Sequence, residues 1–443
     1  MSGSTAAGDM TLDQALKSML QANESILAAR TVKEQRRFEQ KTARSLYWPR
    51  ATVTGRYTRT DNPIYLDLDP IRSAMLSLHP TVPAALVPSF KQTVQDESFW
   101  KSQFNVVWPV FTGGRIAAAN RAADAGIRES SAGFDQTTQR LIAELARRYF
   151  AVRLTARLVQ VRTEARDALA RHVYQARRLH DEGFISRSEF LHATVTETEA
   201  ERQLKAARHD LEITRIGLAD LLASADTIHP TTPLFVVREL SPLTEFISQA
   251  RAKHPVLRRL GAAEDKAREN VRMQKAAYAP EAYLFGKREL HESDLTLLEP
   301  EWAVGLGITF TVFDGFSRPG KIGAAKKIEH RSALLKRKAD RDLVALVKSR
   351  YQAYQKALEQ FDSLQASRAL AAENLHARRR AFQEGQATSL DLVDAQLSLS
   401  ANQMERMKAA YDCDVSLAEL LEASGTGDEF SRYLAIAEMD VEK

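Results

Sequence analysis

Across 443 residues the chain holds one cysteine, Cys413, so neither an internal disulfide nor a Cys/His metal framework can form. Glycine and proline are scarce, at 19 and 14 residues, while Ala, Arg, Leu, Glu and Gln dominate. That bias is odd for a globular enzyme and favours long helices with apolar seams, because these residue types give up little on entering a helix. No run of about 18 apolar residues occurs, which excludes a transmembrane helix. The opening residues, Met1 to Gly8, show no basic region followed by an apolar core. No signal peptide is therefore expected in this chain, which reads as cytosolic or as a processed start. Charge of one sign is also lacking: 62 basic and 57 acidic residues leave a net +5. They are interspersed, so they read as solvated helix faces rather than a nucleic-acid patch. The ten histidines form no HExxH motif, and no nucleophile elbow or P-loop is visible. An enzyme is the most distant reading, and no cofactor, metal site or catalytic residue is expected.

What the chain does have is an internal duplication. Trp108-Pro-Val-Phe-Thr-Gly113-Gly returns 202 positions later as Phe310-Thr-Val-Phe-Asp-Gly315-Phe. At the same offset, Asp181-Glu-Gly183 and Ser188-Glu189-Phe190-Leu191 match Gln383-Glu-Gly385 and Leu390-Asp391-Leu392-Val393. A constant offset over the intervening stretch means no insertion, as long uninterrupted helices would require. A duplication sets the architecture before any other feature. Nearer the start of each half, Pro49 and Pro280 are 231 apart, so the first half carries about 29 extra residues. These fall in the proline-rich stretch from Asn62 to Lys91, which reads as a long loop.

The expected layout is therefore a flexible N-terminus over 1–10, a first repeat over 11–227, a linker over 228–240, a second repeat over 241–424 and a tail over 425–443. Thr11 is placed to cap the first helix. In the first repeat, strands are expected at about 50–59 and 99–111, a long helix at 113–181 and a return helix at 186–222. In the second, strands are expected at about 281–289 and 301–313, a long helix at 319–383 and a return helix at 388–422. The apolar spacing of Val347, Tyr351, Tyr354, Leu358 and Phe361 averages 3.5 residues, a coiled-coil seam; Leu145, Tyr149, Val152, Ala156 and Val159 answer it in the first half. At 1.5 Å per residue, such a long helix spans roughly 100 Å.

The strand segments alternate. Trp100, Phe104, Val106, Trp108 and Val110 interleave with polar residues, and Trp302, Val304, Leu306, Ile308, Phe310 and Val312 interleave with Ala303, Gly305, Gly307, Thr309 and Thr311. The partner segment from Glu281 carries Tyr283 and Phe285 on one side. Segments of about ten residues with one apolar face, rimmed by aromatics, are the pattern of a transmembrane β-barrel. An open sheet edge cannot sit in lipid, and four strands cannot close a barrel, so several chains must contribute. Three would supply 12 strands and a tube of long helices; geometry alone does not choose three over two.

This order of elements, given twice, resembles the TolC family of outer-membrane channel proteins over about residues 11–424. The pieces that carry the likeness are Thr-Leu-Asp-Gln-Ala-Leu (11–16), Ala-Asn-Glu-Ser-Ile-Leu-Ala-Ala-Arg (22–30), Trp-Pro-Val-Phe-Thr-Gly-Gly-Arg (108–115) and Glu-Gly-Gln-Ala-Thr-Ser-Leu-Asp-Leu-Val-Asp-Ala-Gln (384–396). The resemblance implies a mainly α protein with a small β part. Its long coiled-coil helices form an α-barrel in the periplasm, and four strands per chain contribute to a 12-stranded barrel in the outer membrane. It also implies a homotrimer that docks a periplasmic adaptor protein and, through it, an inner-membrane pump in efflux or type I secretion, and that catalyses nothing.

For particular residues the resemblance implies adaptor docking at the tips Gly183 and Gly385, with Ser188, Glu189 and Ser389 nearby. It implies a periplasmic gate at Asp391 and Asp394, and the aromatic rim at Trp100, Trp108, Trp302 and Phe310 reads as the membrane girdle in contact with lipid. Three copies of each aspartate would stack two negative rings. The plainer alternative is that both acids suit the first turn of a helix, where they complement its dipole. His192 replaces Asp394 in the first half, where it would make closure pH-sensitive. Ala387 offers no side chain for pairing tips, and His180 stands opposite Phe382. A soluble coiled-coil scaffold is the main rival; it explains the heptads but leaves the aromatic-rimmed alternation unexplained.

Overall fold

The structure, a computed structural model, describes residues 8–291, 296, 299–438 and 441. Residues 1–7 of the expected flexible start lie outside the described residues, as do 439, 440, 442 and 443 of the expected tail. In chain order the first half comprises β1 (Asp9–Met10), α1 (Leu12–Ala22), α2 (Glu24–Ser45), β2 (Arg50–Arg59), β3 (Ile64–Asp67), α3 (Asp69–Leu78), β4 (Lys91–Gln95), β5 (Ser98–Phe111), α4 (Arg115–Asp181) and α5 (Arg187–Leu221). After β6 (His229–Pro230), the second half comprises α6 (Leu243–Lys253), α7 (Pro255–Ala276), β7 (Glu281–Glu289), β8 (Trp302–Thr309), α8 (Ser317–Gln383), α9 (Ser389–Ser424) and α10 (Phe430–Ala435). The two long helices, α4 and α8, have 67 residues each. No described helix is long and apolar enough to cross a membrane.

The chain divides into two compact units, and they are not the two repeats. One takes residues up to Arg36, Gly126–Ala263 and Ser332 onward; the other takes Arg37–Ala125 and Glu264–Arg331. Each therefore draws on both halves of the duplication. The first unit is helical and holds the main core. Leu12, Ala15 and Met19 of α1, Tyr149 and Phe150 of α4, Val347, Tyr354 and Phe361 of α8, and Leu417 and Leu421 of α9 are all buried in it. Thr11 caps α1 in a reciprocal box with Gln14, satisfying two N–H groups that the helix leaves unpaired.

Three segments are more ordered than the sequence suggested. The extra stretch of the first half is not a plain loop: β3 and β4 pair as an antiparallel ribbon around α3. Asp9 and Met10 pair in parallel with His229 and Pro230. The linker is core rather than connector, because Leu234, Phe235, Val236 and Val237 are at most 2% exposed. It also captures the tail: Val236 and Glu438 exchange backbone hydrogen bonds at 3.2 and 2.9 Å, and Phe430 packs against Phe235 and Phe150.

The second unit carries a four-stranded antiparallel sheet in the order β2-β5-β7-β8. The outer edges of β2 and β8 have no strand beside them among the described residues.

Candidate functional site

Register assigns the side chains of this sheet to two unlike faces. In antiparallel pairing, residues opposite one another share a face. Tyr57 pairs with Trp100, Val53 with Phe104, and Ala51 with Val106. Trp108 pairs with Leu284, and Leu284 with Leu306, flanked along β8 by Val304, Ile308 and Trp302. This face is apolar, and it is open: Val53, Val304, Leu306 and Ile308 are each more than 60% exposed. Trp100 and Trp302 lie toward one end of it and Trp108 toward the other, while Phe310 follows directly on β8. Two arginines share the face, Arg59 and Arg288, both toward the Trp100 and Trp302 end. Trp108 also donates its indole N–H to the Tyr47 carbonyl at 2.9 Å.

The opposite face is polar. Thr52, Thr54 and Arg56 of β2 share it with Lys101, Gln103 and Asn105 of β5 and with Lys287 and Glu289 of β7. Gln103 donates to Glu289 at 2.5 Å, and Lys101 pairs with Glu299. Tyr283 and Phe285 belong to this polar face and not to the apolar one. Each lies across a glycine of β8: a Cβ on Gly307 would fall 2.4 Å from the Tyr283 ring, and one on Gly305 2.8 Å from Phe285. The glycines of β8 thus make room for two aromatic rings. Alternation of apolar and polar faces over strands of 8–14 residues is what a lipid-facing, water-lined wall requires.

The helical tips share the same glycine-closing bonds. Gly183 and Gly385 both adopt left-handed φ, +81° and +73°. Gly183 N–H donates to His180 O and Phe184 N–H to Leu179 O, at 2.9 and 2.8 Å. Gly385 N–H donates to Phe382 O and Gln386 N–H to Ala381 O, at 3.1 and 2.8 Å. Each is a glycine-closed helix end followed by a new N-cap. Ser186 caps α5 by accepting from Glu189 N–H, and Thr388 caps α9 by accepting from Asp391 N–H. In the first turn of α5 Ser188 is exposed and Glu189 half-buried.

The two aspartates are not equivalent. Asp391 is half-buried and engaged: its carboxylate accepts from both the backbone N–H and the hydroxyl of Thr388, at 3.0 and 2.8 Å. Arg378 of α8 stands 3.5 Å away. The Thr388 backbone N–H first, then its hydroxyl and the Arg378 charge, hold the Asp391 carboxyl below the ordinary 3.8. Asp394 is exposed, one turn further along α9. Because the Asp391 pKa is depressed, its support of the α9 cap is complete above the unfolded value and is lost as pH falls through the folded one. Replacing Thr388 by alanine is expected to raise the Asp391 pKa toward 3.8 and to fray the start of α9. Carboxylate NMR titration reads the shift, and an unmoved pKa overturns the capping account.

The buried histidine at this level is one the sequence did not single out. His192 is exposed, and His180 stacks on Phe190 with its Nδ1 3.3 Å from Asp181. His172 of α4 is only 5% exposed, and its Nε2 lies 2.5 Å from the Ser389 hydroxyl at the start of α9. Ser389, expected near a docking surface, is instead 2% exposed. The one signal for His172 in the sequence is its place in a seam, beside the buried Leu169, Val173 and Ala176.

Comparison with known proteins accords with this geometry. The family model described as outer membrane efflux protein matches residues 15–224 and 246–426. Protein CyaE of Bordetella pertussis is 26% identical over 243 residues, 52% of this chain; the match spans about half of that protein, 50%. Among solved structures, the outer membrane protein VceC of Vibrio cholerae superposes with a TM-score of 0.75 at 15% identity, covering 94% of this chain and 96% of that one. The CmeC outer membrane channel of Campylobacter jejuni gives 0.76 at 14%, covering 97% and 90%. At such identities the structural likeness establishes the fold. Strand pattern, duplicated long helices and family match together place this chain in the outer membrane efflux protein family, with the TolC-like fold of outer-membrane channels.

Proposed function

We propose that three copies of this chain close into a passive exit duct of the bacterial outer membrane. In this reading their sheets complete a 12-stranded barrel, and their long helices form a tube in the periplasm. The duct docks a periplasmic adaptor and an inner-membrane transporter in efflux or type I secretion, and no step of chemistry belongs to it. The observation that carries the reading is the open apolar face of the four-stranded sheet. Val304, Leu306 and Ile308 at more than 60% exposure are unfavourable in water and suited to acyl chains. The same face argues against the soluble scaffold, which has no use for it.

The polar face supports three copies over two. Two chains would give eight strands, and at about eight strands side chains fill the interior. Tyr283, Phe285, Lys101 and Gln103 all project to that side, so a third chain is needed for an open lumen. The edge strands β2 and β8 would then pair between copies, leaving no edge in the bilayer.

In this reading Asp394 and Asp391 line the periplasmic constriction, and the glycine tips meet the adaptor. Asp394 carries the larger share of the field in the pore, because Asp391 is already held by Thr388 and Arg378. Planar-bilayer recording of the detergent-purified protein tests both levels. Discrete cation-sensitive channels are expected; a monodisperse soluble rod without conductance would end the membrane reading. The Asp391→Ala plus Asp394→Ala double variant is expected to weaken block by trivalent cations on the order of tenfold. Unchanged block and conductance would remove the two aspartates from the gate.

A further inference from the structure

We propose that His172 is a positioning residue for the start of α9 and makes that position sensitive to acid: the neutral imidazole holds α9 against α4, and the imidazolium lets it go. The effect on conductance rests on the reading of the α9 start as the pore constriction; the effect on α9 itself does not.

The link is local and buried. His172 Nε2 and the Ser389 hydroxyl are 2.5 Å apart, and the two residues are 5% and 2% exposed. The Phe382 ring of α8 meets the imidazole edge-on at 5.2 Å. One hydrogen bond therefore joins the first repeat's long helix to the first residue of the second repeat's return helix. Asp391 sits two residues on from Ser389 and Asp394 five, so what fixes Ser389 also fixes them. The other ring nitrogen, Nδ1, is buried and has no hydrogen-bond partner among the described residues.

The surroundings favour the neutral ring. In either tautomer Nε2 and the hydroxyl satisfy one another, with one donating and the other accepting. Adding a proton turns both nitrogens into donors, and Nδ1–H then meets no acceptor. A buried charge without a partner is costly. It would also stand at the N-terminus of α9, the positive end of that helix.

None of the charged groups packed around His172 offsets this. Its own helix contributes Arg171, and α8 contributes Arg379 to the same cavity wall, with Arg378 nearby. On α9, Asp391 is committed to Thr388 and Arg378, and Asp394 points to solvent. From α5, Ala193 packs with Val173 and Ala200 with Leu169, on either side of His172 in the seam, and Glu199 beside Ala200 is held by Arg202 and Gln203. Burial alone pushes the His172 pKa below the ordinary 6.5.

There is also somewhere for the ring to go. A cavity of about 250 Å³ lies beside it, lined by Arg171, Gln175, Arg379, Phe382, Gln383 and Gln396 among others, and among the described residues no carboxylate lines it. That volume admits several waters. Once protonated, the imidazole gains hydration by turning into this space, and Ser389 is released. Because the folded pKa is depressed, the link is intact above pH 6.5. It weakens as pH falls below 6.5 and is lost once pH passes the folded value. Asp391 stays ionised between pH 6.5 and pH 5, since its own pKa lies below 3.8.

The test uses the full chain in detergent, with hydrogen exchange of the segment 386–400 measured at pH 7.5 and pH 5 and corrected for intrinsic rates. The wild type is expected to exchange about tenfold faster at the lower pH. In His172→Gln, which keeps a neutral donor near Ser389, that step is expected to vanish. In Ser389→Ala, exchange is expected to be fast at both pH values. A wild type without a step, or a His172→Gln variant with the same step, would overturn the proposal. Bilayer conductance is then compared at the two pH values. A wild-type exchange step with flat conductance would keep the His172 link and instead remove the α9 start from the constriction.

Discussion

Gly113→Ala is expected to destabilise the protein by about 3 kcal/mol, the sum of a left-handed backbone penalty of about 1–2 and overpacking of similar size. Gly113 has φ +59°, and a Cβ there would lie 2.4 Å from the Ala279 Cβ and 2.8 Å from the Ala276 carbonyl oxygen. It stands where β5 ends and α4 begins, a junction closed by Arg115 N–H donating to Thr112 O at 3.0 Å. Neither neighbour can yield cheaply, because the oxygen is backbone and the methyl sits at the turn leading into β7. Gly114 is the control: its φ is +87°, but nothing lies within 4 Å of the added Cβ. Gly114→Ala therefore meets the backbone penalty alone. Thermal unfolding in detergent, followed by circular dichroism, separates the two. Equal melting of the two variants would show that the close approach to α7 and its following turn is unimportant.

The second half resolves the same junction differently, and the contrast shows what a duplicated sequence does and does not reveal. Gly315 has open space around it at φ +66°, and the next residue is Phe316 at φ +63°, a left-handed phenylalanine. Phe316 is exposed and meets Phe313 edge-to-face at 5.5 Å. Sequence similarity marks the turn at both places, yet only packing distinguishes a glycine that is crowded from one that is free.

The fold class was legible because its signals are periodic. An apolar spacing of 3.5 and an alternation of 2 persist over enough residues to be unambiguous, and a fixed offset of 202 ties one half to the other. What periodicity cannot show is partnership at a distance. The linker around Phe235 carries proline at 230 and 233, the composition of a connector, but its burial depends on Phe150 and Phe430 arriving from elsewhere. Alternation puts Tyr283 and Phe285 on one side of their strand, but only register shows that this side is the polar face, over Gly307 and Gly305.

The candidate site divides in the same way. Gly183 and Gly385 announce themselves, since a glycine after a long helix and before a capping residue is a local pattern. Asp391 and Asp394 look alike three residues apart, but whether each is engaged depends on Thr388 and on Arg378 across the hairpin. His172 and Ser389 are 217 positions apart, and no repeat offset connects them.

Tyr149→Ala is expected to cost about 3–5 kcal/mol, the range for removing a large buried aromatic. Its ring is fully buried and packs against Phe150 at 5.3 Å. Its hydroxyl uses every bond it can make: it donates to Met10 O at 2.7 Å and accepts from the N–H groups of Thr231 and Thr232 at 3.0 and 2.9 Å. One oxygen thus joins the start of the chain and the linker to the long helix α4. Tyr149→Phe isolates that oxygen. It keeps the ring and strands the Thr232 N–H, while the Thr231 N–H and the Met10 carbonyl keep their own bond at 3.1 Å, and is expected to cost about 1–2 kcal/mol. Tyr354 makes a smaller version of the same bridge, accepting from Val237 N–H at 3.1 Å and donating to the Val237 carbonyl. Tyr354→Phe strands both the N–H and the carbonyl of buried Val237, and should therefore cost more than Tyr149→Phe in denaturant titrations. A cost for Tyr149→Phe above that of Tyr354→Phe would overturn this, and would give the convergence of β1, the linker and α4 on the Tyr149 hydroxyl an energetic weight beyond the one N–H it alone satisfies.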